Sequence, residues 1–161
     1  MIKFLAAPAL VILEYAFHQF LPHPWLLFDP LLALVLIFTF FHYLETKPFV
    51  CYALWCGFWQ DLTAMSGFGV FMISYLACAF AAAFLSRIIY RPNRLFIYPL
   101  VFLGQILNNH IAFFLALFSS GRMMPYSFLF LGRTFLEACG TALLAYPVSL
   151  FLKKCAPEST P

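Results

Sequence analysis

Residues 56–71 read CGFWQDLTAMSGFGVF. Asp61 stands four residues after Gly57, and Ser66, Gly67 and Gly69 follow closely. The chain on either side is apolar. Glycines in such surroundings permit a tight turn and a close approach of two helix backbones. An aspartate beside that turn is placed to cap the orphan N–H groups of the next helix, or to pair with Arg133 across the bundle. The stretch therefore reads as the junction between two packed membrane helices.

Composition agrees with that reading. Of 161 residues, 65% are hydrophobic, 9% are charged and 22 are Phe. A soluble domain carries about 25% charged residues. The class is an all-α integral membrane protein, because the apolar runs are too long for strands and do not alternate. The length suits one compact transmembrane domain over residues 1–152, with a short tail at 153–161.

A spanning helix needs about 20 mostly apolar residues. Chain punctuation predicts six such helices: 3–21, 30–44, 48–65, 68–86, 95–118 and 127–152. Pro22 and Pro24 stop the first. Pro48 sits in the first turn of the third, where its missing N–H costs little. Pro147 is expected to kink the end of the sixth. The start of the chain has the look of a signal peptide, but Glu14 interrupts its apolar run and no small-residue cleavage site follows, so it reads as an uncleaved helix.

The net charge is +3, and the cations gather at predicted loops, a topology signal rather than a nucleic-acid footprint. With the N-terminus inside, Lys3, Lys47, Arg87, Arg91, Arg94, Lys153 and Lys154 are cytoplasmic and Arg122 is outside; Arg133 lies within helix 6. Both termini are then cytoplasmic, as six spans require. The basic loop at Arg87, Arg91 and Arg94 sets topology, or faces anionic lipid or a cytoplasmic protein partner. None of the five cysteines forms a CxxC pair, so no disulfide framework or zinc site is expected. HExxH, GxSxG and P-loop patterns are absent, and neither a cofactor nor an enzymatic role is expected.

Ionisable groups inside a span cost about 2.5–3.5 kcal/mol each on insertion scales. The set here is Glu14 and His18 on helix 1, Gln60 and Asp61 on helix 3, Asn108, Asn109 and His110 on helix 5, and Arg133 and Glu137 on helix 6. Glu14 with His18 and Arg133 with Glu137 have the four-residue spacing that shares a helix face. Most of the set falls in the outer half of the bundle. Either it forms a hydrogen-bonded polar core, or it lines a cavity or partner site open to the outside. His42 reads as an interfacial histidine. On helix 4, Ala77 with Ala81 and Ala79 with Ala83 form small-residue faces suited to internal packing.

Residues 28–86 resemble the rod shape-determining MreD family. The matching pieces are Asp29-Pro30 before LLALVLIFTF, then Gly57-Phe58-Trp59-Gln60-Asp61, then Ser66-Gly67-Phe68-Gly69, then VFMISYLACAF. The order Asp29-Pro30 reverses the family's usual Pro-Asp, and the third span has few glycines. The resemblance implies a bacterial inner-membrane protein of the cell-elongation machinery. Its partners would be a bitopic MreC-like scaffold, an MreB-like filament and the SEDS/transpeptidase synthase that builds sidewall peptidoglycan. It also implies a fold like the substrate-binding S components of energy-coupling-factor transporters. An S component is itself the alternative reading, since it takes a vitamin or metal into an outward-facing pocket.

Overall fold

The computed structural model describes residues 7–12, 29–42, 44, 46–63, 69–88, 94–120 and 128–155, without the side chains of 94, 119–120 and 151–155. Every regular element among them is helical. Residues 7–12 form α1. The others are α2 (Pro30–Phe41), α3 (Thr46–Thr63), α4 (Val70–Ile88), α5 (Ile97–Ser120) and α6 (Phe128–Cys155), with a 3₁₀ turn at Arg94–Phe96 before α5.

Three helices are long and apolar enough to cross a membrane: Val70–Ile88, Ile97–Phe118 and Phe128–Leu150. This supports the membrane class. Of the six expected spans, these three reach that length among the described residues, and Pro30–Phe41 is a shorter apolar helix. The second helix ends at Phe41 rather than Leu44, because His42 closes it. Its 12 residues reach about 18 Å at 1.5 Å per residue, short of a hydrocarbon core about 30 Å thick. The third helix begins at Thr46, before Pro48, and includes Lys47, Gln60 and Asp61. Pro147 lies inside α6, which continues past it to Cys155. Of the first predicted helix, only residues 7–12 are described.

α2 is the centre of the molecule. All ten residues from Leu31 to Phe40 are buried. A helix that is apolar on every face has no stable position at a surface between lipid and water, and α2 packs against α3, α4, α5 and α6 at once. Ala7 and Val11 of α1 join the same core. α3 packs on α4, and α5 on α6. Ala79, Ala82 and Ala83 bury the inner face of α4, so the Ala79–Ala83 pair serves internal packing as expected, whereas of the other expected pair Ala77 is only half-buried and Ala81 is exposed. Outward, Phe84, Leu129, Phe135 and Leu143 are largely exposed, the surface that lipid would cover.

Candidate functional site

Asp61 answers the question posed by its surroundings. It sits near the end of α3, 6% exposed, and both carboxylate oxygens reach the start of α4. The amides of Gly69 and Met72 donate to Oδ2 at 3.0 and 3.2 Å, and that of Phe71 donates to Oδ1 at 2.8 Å. One side chain thus satisfies three of the N–H groups that a helix start leaves orphaned. Gly69 has φ +97°, in the region that favours glycine. At Gly57, one turn before Asp61, a Cβ would lie 2.6 Å from Met72 Cα and 2.8 Å from Phe71 O. The glycine is what lets the two backbones meet where the carboxylate caps.

The cross-bundle pair of Asp61 with Arg133 does not form. The Asp61 oxygens are taken by backbone amides, and Arg133 Nε instead donates to Glu137 Oε1 at 2.7 Å. The Arg133 side chain is 76% exposed, that of Glu137 only 16%. Glu137 Oε2 accepts from Asn109 Nδ2 at 2.6 Å, and Asn109 Oδ1 accepts from Gln105 Nε2 at 3.0 Å. This chain of contacts ties α5 to α6.

Asn108, Asn109 and His110 do not act as one group. Successive helical residues are about 100° apart around the axis, and the three diverge accordingly. Asn108 is buried toward α4, where the Ser74 hydroxyl donates to its side-chain oxygen. Asn109 faces Glu137. His110 Nδ1 lies 2.7 Å from Ile106 O, and its ring meets Phe130 edge-on. His42 caps α2, with Nδ1 3.0 Å from Phe38 O and its ring stacked on Phe38. Glu14, His18, Ser66, Gly67 and Arg91 lie outside the described residues. Arg87 is exposed in the last turn of α4.

A second polar node had no place among the expected site residues. Asp29 caps α2: its Oδ1 accepts from Leu32 N at 2.9 Å. The Tyr75 hydroxyl of α4 lies 2.8 and 2.7 Å from the two Asp29 oxygens, sharing its one proton between them. The Asp29 amide donates to Thr141 Oγ1 of α6 at 2.9 Å. Thr141 is near the middle of α6, about 20 Å from either end at 1.5 Å per residue. The α2 N-terminus therefore lies at mid-height in the bundle. Asp29 was visible in the sequence beside Pro30. Tyr75 and Thr141 sit in apolar runs with no spacing that marks them.

The arrangement holds helices in register. Each carboxylate among the described residues is matched to neutral donors or to one arginine. Among the described residues, no three His, Cys, Asp or Glu side chains converge as metal ligands would. Cys51, Cys56, Cys78 and Cys139 are free thiols. Compared with known proteins, the chain matches no family model, no curated protein and no solved structure.

Proposed function

We propose that this chain is a non-enzymatic membrane component of the bacterial cell-elongation machinery, of the MreD kind. It resides in the inner membrane with its cationic end toward the cytoplasm. There it binds the membrane helix of a bitopic MreC-like scaffold, and through it supports an MreB-like filament and the SEDS/transpeptidase synthase of sidewall peptidoglycan. One observation carries the reading. The residues on which the resemblance rests are the joints of this fold: Asp29 anchors α2, Gly57 admits α4, and Asp61 with Gly69 closes the α3–α4 hairpin. A motif used to build a rigid bundle suits a protein that works through its outer faces.

The S-component alternative needs polar groups aimed into an outward-facing pocket. Asp61, Asn108, Asn109 and Glu137 bond to other side chains and to backbone instead, which favours the scaffold reading, although among the described residues the buried Gln60 Oε1 and Gln105 Oε1 have no partner. The test is a detergent pull-down of the tagged chain from its native membrane, with mass spectrometry of what accompanies it. A bitopic coiled-coil protein and cell-wall synthesis proteins are expected. A transporter T subunit with ATPases, or a bound small molecule, would overturn the proposal.

A further inference from the structure

Leu129, Leu136, Leu143 and Leu150 stand seven residues apart on α6. All four are exposed, by 45% to 82%. A seven-residue repeat keeps side chains on one stripe of a helix, the stripe a second helix packs against in a coiled coil. α6 packs on α5 and α2 with its other side. Arg133 and Gly140 fall between the leucines, at the intervening places of the same stripe. Gly132 flanks Arg133, and a Cβ there would meet nothing within 4 Å. The surface beside Arg133 is therefore low, which lets a second helix approach closely.

The leucines alone do not say what covers them, because lipid suits them as well as protein does. Arg133 does. Its side chain is 76% exposed, and its Nε donates to Glu137 Oε1 at 2.7 Å. A guanidinium has five N–H donors, and among the described residues no acceptor meets the other four. The second Glu137 oxygen is taken by Asn109. Depth makes the need for a partner acute. The span Phe128–Leu150 has 23 residues, about 34 Å at 1.5 Å per residue, so it passes a hydrocarbon core of about 30 Å by roughly 2 Å at each end. Arg133, five residues after Phe128, then lies about 5 Å below the edge of the hydrocarbon. Arginines near a helix end reach out to the headgroups. Here Glu137, one turn deeper, holds Nε back.

A second copy does not meet the need. Two copies of one topology pair about an axis along the membrane normal. Their α6 helices are then parallel and in register, and Arg133 faces Arg133. We propose that this face of α6 is the docking site for the spanning helix of a different protein, one that carries an aspartate or glutamate opposite Arg133. The partner's carboxylate accepts from the unused guanidinium N–H groups while Glu137 keeps Nε, and the leucine stripe packs along the rest of the helix. The inference rests on the function proposed above, for which it names the face that receives the scaffold's helix.

The test places the full chain, with a donor fluorophore on a C-terminal tag, in phosphatidylcholine vesicles. Two synthetic leucine–alanine spanning peptides carry an acceptor. One has a glutamate at the depth of Arg133 and the other has leucine there. Energy transfer should show the glutamate peptide binding about tenfold more tightly. Arg133→Leu should erase that preference. Gly132→Leu should weaken both peptides, and because the site around Gly132 is open it keeps the test alive if Arg133→Leu fails to fold, as far-UV circular dichroism would reveal. Equal binding of the two peptides, a preference that survives Arg133→Leu, or full binding by Gly132→Leu would each overturn the site. A preference lost in phosphatidylglycerol vesicles would assign Arg133 to a headgroup phosphate and overturn it too. So would energy transfer between two copies of the chain that Gly132→Leu abolishes, the mark of a homodimer face. In the pull-down described above, recovery of the scaffold by wild type and Gly132→Leu alike would overturn this face and leave the function standing. Arg133-dependent binding of the glutamate peptide, with no scaffold in the pull-down, would do the reverse.

Discussion

Replacing Asp61 by alanine tests the hairpin directly. The change removes the only acceptors that the amides of Gly69, Phe71 and Met72 are seen to use. A buried donor left unsatisfied costs about 1–3 kcal/mol. The three sit at a helix start, where partial access to water lowers each toward the bottom of that range, so the total is about 3 kcal/mol. Loss of negative charge at the helix N-terminus adds a few tenths to about 1 kcal/mol. For a chain this size, a kcal/mol shifts the melting temperature by roughly 2–4 °C, so Asp61→Ala should melt roughly 6–15 °C lower in detergent. Asp61→Asn is the sharper comparison. Asparagine is normally a good N-cap, but both Asp61 oxygens are acceptors here. One amide oxygen can keep Gly69 and Met72, while its NH₂ then opposes the N–H of Phe71. Asn should therefore fall between wild type and Ala. Hydrogen exchange should place the loss at residues 69–72. Unchanged melting of Asp61→Ala, or an Asn variant as stable as wild type, would show that these three contacts do not hold the hairpin.

Three further outcomes follow from the same geometry. Gly57→Ala drives a methyl against α4 backbone rather than a flexible side chain; overpacking of this kind costs about 1–3 kcal/mol, and a melting temperature equal to wild type would refute the close approach. Tyr75→Phe strips Asp29 of its hydroxyl donor and should destabilise by about 1–3 kcal/mol; Asp29→Asn in the same chain should recover part of that, since the under-solvated charge is gone, and strict additivity in the double-mutant cycle would argue against the contact. Asn109→Leu should lower the melting temperature more than Arg133→Leu does, because Asn109 joins Glu137 to Gln105 whereas Arg133 is mostly exposed; the reverse order would make the ion pair the main tie between α5 and α6.

The class of the fold was legible because hydrophobic length is a strong signal and the described helices lie close to their predicted places. The Gly57–Asp61–Gly69 junction was legible for a related reason, since a turn needs glycine and a helix start needs an acceptor, and both are local. The Arg133–Glu137 pair followed from spacing. What spacing could not give was partnership between distant segments. Asp61 lies within reach of several cationic or amide partners in the abstract, and only the seating of α4 against α3 chooses the amides. The polar run 108–110 looked like one cluster because its members are adjacent in sequence, yet adjacency on a helix separates side chains by about 100°. The central position of α2 was hidden because a uniformly apolar helix looks the same whether lipid or protein covers it.

The half-length α2 accounts for polar residues that would otherwise have no reason to be there. A helix that starts at mid-height places free N–H groups where water is scarce, and in a bilayer such groups must find partners within the protein. Pro30 at the first position removes one of them. Asp29 accepts from Leu32, and its negative charge faces the positive end of the α2 dipole. That carboxylate then needs a donor of its own, which the Tyr75 hydroxyl of α4 provides. The Asp29 amide needs an acceptor, which Thr141 of α6 provides. Each polar group creates the requirement that the next one meets, and the sequence closes with α2, α4 and α6 fixed at one height. The same reasoning explains why Ser74, one residue from Tyr75, reaches the other way to Asn108 of α5. A pair of adjacent residues on α4 thereby holds the central helix on one side and α5 on the other, so that a change at either position should loosen the contacts of both.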